Sequence, residues 1–122
     1  MVRQYRYPFA ETLLEIPAGK LDPGEEPLAA ARRELSEETG AEAESWTYLG
    51  AYYPSVAYSD EVIHLYLARG LLFSDMHPDD DEFLELSRIP LGELVDGVLA
   101  GEIPDGKTQT VVLKAWALQS RA

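Results

Sequence analysis

The chain contains no cysteine, so disulfide staples, thiolate metal ligands and thiol nucleophiles are all excluded. Positive charge is scarce. Ten Lys and Arg against 22 Asp and Glu give a net charge of −12, which argues against a sequence-independent DNA or RNA binder because such a protein needs a basic face. A phosphate-bearing ligand would have to be held by a few placed cations or by metal. No 18-residue apolar run occurs, and the start shows no charged segment followed by a short apolar stretch, so neither a membrane span nor a signal peptide is expected. A single soluble, cytoplasmic domain covering residues 1–122 is the default, and 46% hydrophobic residues can bury one core. Histidine is limited to His64 and His77. His64 alternates with apolar residues in VIHLYL and suits a sheet face, while His77 stands beside Pro78 in an acidic stretch and suits solvent.

What the chain has in abundance is acid, concentrated between Gly19 and Ala41 in GKLDPGEEPLAAARRELSEETGA. The pattern predicts a helix over 27–39, with Pro27 in the first turn, Gly40 as a left-handed terminator and Leu28, Ala31 and Leu35 on the apolar stripe. Glu34 and Glu38 lie four apart and Glu37 three beyond Glu34, so three carboxylates share one arc beside that stripe. Like charges at this spacing cost about 0.2–0.5 kcal/mol each. A divalent cation would reverse that cost, and hard oxygen donors suit Mg²⁺ or Mn²⁺. On the acids alone a solvated acidic helix face is the simpler reading.

The flanking residues change the balance. Gly19, Glu25, Arg33, Glu34, Leu35, Glu37, Glu38, Gly40 and Ala41 are spaced as G-x5-E-x7-R-E-L-x-E-E-x-G-A, which resembles the Nudix box at every fixed position. The resemblance to the Nudix hydrolase family implies an α/β fold, an α/β/α sandwich around a mixed sheet. It also implies divalent metal and hydrolysis of a nucleoside diphosphate linked to another group. Transferred residue by residue, it makes Glu34, Glu37 and Glu38 metal ligands, joined by the backbone carbonyl of Ala18. Arg33 orients the carboxylates, Glu25 braces the loop, and Gly19 and Gly40 shape the turns.

Segments outside the box extend the resemblance over nearly the whole chain. VRQYRYP, LLEIPAGK, YYPSVAYSDE, DDDEFLEL and GEIPDGKT together look like the ADP-ribose pyrophosphatase group. That likeness makes Glu82 the catalytic base or a further ligand, Glu61 a contact to the terminal ribose, and Arg3 and Arg6 the cations nearest the phosphates, with Arg33 and Glu37 in the catalytic set. Each has a plainer reading: Glu82 as one more acid in a run, Glu61 as a polar strand start, and Arg3 and Arg6 as solubilising charges on an edge strand. Val56 and Ala57 stand where the group has a Pro-Gly pair, which bears on selectivity for ADP-ribose. Relatives carry several dozen residues before the RQYR segment that help build a homodimer and the adenine pocket, so the chain is expected to be short at its N-terminus. The opposing reading is a non-catalytic nucleotide-binding or sensing module.

The rest of the chain reads as strands at 12–16, 46–53, 62–68 and 82–86 and helices at 91–99 and 108–119. The string Gly101 to Thr108 fits G-x4-G-K-T formally, but Pro104 removes a backbone donor that a phosphate cradle needs. A helix start is the better reading there.

Overall fold

The computed structural model describes residues 1–74 and 85–121. Its first element is a hairpin of β1 (Val2–Arg6) and β2 (Glu11–Glu15), joined by a 3-10 turn at Tyr7–Phe9. Ala10 closes that turn in the left-handed region at φ 51°, its N–H donating to the Tyr7 carbonyl over 3.2 Å. The tight turn sets the register, with Val2 opposite Glu15 and Arg6 opposite Glu11. β5 (Glu85–Leu86) pairs with the other side of β1. β1 is therefore the middle strand of three, not an edge.

A second ladder consists of β3 (Ala41–Tyr52) and β4 (Ile63–Phe73). Both are longer than the apolar runs at 46–53 and 62–68 predict, because Ala41 to Ser45 and Arg69 to Phe73 complete one another's hydrogen bonds across the hairpin. Pairing thus overrides the weak strand propensity of AEAES. A bulge at Leu49 is absorbed by Gly50 at φ 115°, and Trp46, Tyr48 and Tyr66 stack on one face with ring centroids 5.2 and 6.2 Å apart. All pairings among the described residues are antiparallel, in two sheets, where a mixed sheet was expected. The α/β class itself stands.

Three helices complete the described residues. α1 (Pro27–Thr39) begins and ends where its proline and glycine predict, and the Gly40 N–H donates to the Ser36 carbonyl over 2.9 Å at φ 73°. α2 (Leu91–Leu99) matches its apolar spacing. α3 (Gly106–Ser120) starts two residues earlier than expected because Asp105 caps it, accepting from the Thr108 N–H. The core is small: Leu94, Val95, Ile103 and Val112 from α2, α3 and their connection, covered by Leu14 and Ile89 among others. α1 packs against β3 and β4. Between α1, β4 and the end of β2 a cleft of about 1020 Å³ opens, and the functional candidates gather around it. No helix among the described residues is long and apolar enough to cross a membrane.

Candidate active site

The acidic arc falls on the C-terminal half of α1, which carries the negative end of the helix dipole and no basic residue in its last turn. Three carboxylates in that position call for an organised positive partner, and Arg33 is one that the chain supplies. Its Nε and Nη2 donate to the two oxygens of Glu25 over 2.9 and 3.0 Å. Nη1 donates to Glu34 over 2.8 Å and Glu37 over 3.2 Å, and Nη2 also reaches the Lys20 carbonyl over 3.0 Å. The planar guanidinium suits this division, one edge bidentate on Glu25 and one nitrogen shared by two helix acids. These contacts, Glu25 first, hold the guanidinium pKa above its ordinary value. The same hydrogen bonds from Arg33, with one from the Asp22 N–H, hold Glu25 below the usual carboxylate range. Glu25 also ties down its own loop, because the Asp22 N–H donates to it over 3.0 Å.

The loop from Ile16 to Lys20 lies against the same arc. Glu38, 6% exposed, accepts from the Ala18 N–H over 3.2 Å. A Cβ added at Gly19 would run into the Glu34 carboxylate. Glycine lets the acid sit directly over the loop backbone. The obstructing atoms are the far end of a flexible side chain, so Gly19→Ala should fold normally and displace Glu34. We expect unchanged thermal stability with about a tenfold weaker affinity for divalent cation, in line with disturbed ligand positioning. Calorimetric titration with Mn²⁺ checks it, and an unaltered affinity would detach Glu34 from metal binding.

The donor set suits a hard divalent cation in kind: carboxylates on one rigid helix arc, facing a backbone loop that glycine keeps open. Among the described residues, however, no three acidic or imidazole groups converge on one point. Glu34 and Glu37 converge on Arg33 instead.

The other expected site residues divide. Glu61 lies exposed on the rim of the large cleft, beside Asp60, and Glu34 and Gly19 line the same cleft. Arg3 and Arg6 are not brought together. They are three apart on one strand and so project from opposite faces. Arg3 lines a separate cleft of about 470 Å³ with Glu11 and Glu93. Arg6 donates to both oxygens of Glu15 over 2.7 and 2.6 Å. Glu82 lies outside the described residues, as does His77. His64 takes its place on the sheet face, its Nδ1 2.9 Å from the Tyr48 hydroxyl.

Sequence reasoning missed Glu15. It is 1% exposed, and its carboxylate also accepts from Lys107 Nζ over 2.8 Å. The available signal was an acid at the end of the strand pattern ETLLEI, where an inward side chain needs a charged partner. Burial pushes the Glu15 pKa up, but hydrogen bonds and charge from Arg6 and Lys107 outweigh it and leave the carboxyl below the usual range. A carboxylate lowered in the folded state contributes stability that is complete above its unfolded pKa and is lost as pH falls through the folded one. Urea midpoints should therefore show Glu15→Gln clearly less stable than the parent at neutral pH, with the gap closing below about pH 4. A gap that stays constant down to about pH 3 would contradict the assignment.

The sequence profile of the NUDIX domain matches residues 1–110. The chain is 43% identical over 114 residues to the methanol dehydrogenase activator of Bacillus methanolicus, covering 92% of this chain and 62% of that protein. It is 44% identical over 110 residues to the ADP-ribose pyrophosphatase of Bacillus subtilis (strain 168), covering 88% of this chain and 60% of that one. A crystal structure of an ADP compounds hydrolase superposes with a TM-score of 0.82 at 25% identity, covering 98% of this chain and 65% of that chain. The chain thus spans about three fifths of the length of these curated relatives.

Proposed function

The chain belongs to the Nudix family, and from that premise we propose that it hydrolyses the pyrophosphate bond of ADP-ribose or a related nucleoside diphosphate sugar, with Mg²⁺ or Mn²⁺ as cofactor. The observation that carries this reading is the Arg33-centred set of Glu25, Glu34 and Glu37, with Glu38 seated against the Ala18–Gly19 loop at the edge of a cleft large enough for a nucleotide. Such a cation supplies neutralisation of phosphate oxygens and a lowered pKa for bound water.

The chain's own residues carry the remaining roles. Glu34, Glu37 and Glu38, with the Ala18 carbonyl, would hold the metal. Arg33 orients two of those carboxylates in advance, which limits the reorganisation needed on binding. Water oxygen bonds to one phosphorus as the bond from that phosphorus to the bridging oxygen breaks, leaving a nucleoside monophosphate and a sugar phosphate. Glu82 accepts the proton from the attacking water. Glu61, on the cleft rim, contacts the terminal sugar. Arg3 and Arg6 are less suited to the phosphates than the strand sequence alone implies, because one points to another cleft and the other is paired with Glu15.

A panel of nucleoside diphosphate derivatives incubated with Mg²⁺, with products separated by chromatography, tests the reading. ADP-ribose or a nucleotide sugar should yield the two monophosphates in equal amounts. Failure of every diphosphate with both Mg²⁺ and Mn²⁺ would overturn it.

A further inference from the structure

The Gly106-Lys107-Thr108 sequence, formally the end of a phosphate loop, is used for something else. A Cβ at Gly106 would run into the Tyr52 hydroxyl, so the glycine serves close packing of α3 on β3. Lys107 Nζ donates to Glu15 over 2.8 Å and to Asp105 over 3.0 Å. Thr108 is wholly buried; its hydroxyl donates to Asp105 over 2.5 Å and accepts from the Ile16 N–H over 3.1 Å. Lys107 and Thr108 thus grip the last residue of β2 and the one after it. Two residues further on, the Ala18 N–H donates to Glu38, and Gly19 lies under Glu34.

We propose that Thr108 is a positioning residue for the metal-binding loop, the N-terminus of α3 anchoring the end of β2 so that Ala18 and Gly19 are set against Glu38 and Glu34. The inference rests on the metal-binding reading above and names what holds that loop. A buried ionic cluster contributes little net stability compared with apolar packing of the same volume. Its value here is directional: hydrogen bonds to Glu15 and from the Ile16 N–H fix both the height and the orientation of that peptide, which an apolar contact would not. Residues that orient ligands from behind commonly change metal affinity by about 10–100-fold.

The test uses Thr108→Val, which keeps the shape and removes the hydroxyl, and Thr108→Ser, which restores it. Two quantities are read on the full chain without substrate: Mn²⁺ affinity from the free-ion electron paramagnetic signal, and amide exchange at Ala18 by NMR in metal-free protein. The valine variant should bind Mn²⁺ about tenfold more weakly. Its Ala18 amide should exchange several-fold faster, with Leu65 and Leu67 in the β3–β4 ladder unchanged. Serine should recover both. A folded valine variant with unaltered affinity and Ala18 exchange overturns the proposal, and so does a loss that serine fails to recover. If the parent protein takes up no Mn²⁺ at all, the metal-binding reading fails on its own, and the Ala18 exchange still decides whether Thr108 positions the loop. Should the valine variant not fold, Lys107→Gln, which leaves Glu15 paired with Arg6, takes its place. Weaker Mn²⁺ binding with faster Ala18 exchange then supports the anchoring role, and no change in either overturns it.

Discussion

Glu38→Gln is expected to lower kcat/KM for ADP-ribose hydrolysis by about 10²–10³-fold, the range found when a preorganised electrostatic partner of the transition state is removed. The substitution is close to isosteric. Glutamine retains a carbonyl oxygen to accept from the Ala18 N–H, so the loop keeps its anchor while the formal charge disappears. Glu38 is buried near the end of α1, whose last turn carries no basic residue. Replacing it with a neutral amide should leave the melting temperature within a few degrees of the parent, because relief of negative charge near the negative end of a helix offsets the lost attraction to Arg6. Lost activity with retained stability separates a ligand from a packing residue. Wild-type turnover at saturating Mg²⁺ would remove Glu38 from the metal site.

A comparable loss is expected at Glu82, for a different reason. A general base acts chiefly in the transition state, so Glu82→Gln should lower kcat by about 10²–10⁴-fold with KM little changed. The same substitution type at the neighbouring Asp80, to Asn, should have almost no effect, since that acid is given no part in the proton transfer. Steady-state kinetics at saturating Mg²⁺ on the two variants decides the matter. Small and equal effects would make Glu82 one more member of the acidic run from Asp79. This prediction comes from the resemblance of the DDDEF segment to its counterpart in the ADP-ribose pyrophosphatase group, since Glu82 lies outside the described residues.

The two glutamine variants also separate two failures. If Glu38→Gln abolishes Mn²⁺ binding and Glu82→Gln does not, metal capture and proton transfer belong to different residues, as proposed. If both abolish binding, Glu82 is a ligand and another residue accepts the proton.

Much of this protein was legible without coordinates wherever the relevant physics is local. Pro27 and Gly40 bound α1 because one fits the first helical turn without its N–H and the other takes a positive φ, and both effects act within a few residues. The 3.6-residue period then places Glu34, Glu37 and Glu38 on one arc whatever the rest of the chain does. Arg33 and Glu25 belong to the same segment. Tertiary structure decided what depends on partners distant in sequence. β1 became a central strand because β5, distant from it in sequence, pairs with its second side. The opposite faces of Arg3 and Arg6 gained their meaning from that setting, which sent one to a second cleft and the other to Glu15. β3 and β4 outgrew their apolar runs because each supplied the other's hydrogen bonds. The contacts of Lys107 with Glu15 and of Thr108 with Ile16 each span 92 residues, so no local period announces them. Sequence by itself determined which residues could form the acidic site, because helix geometry is a local property; only the folded chain decided what holds that site in place, because a buried charge finds its partners wherever packing brings them.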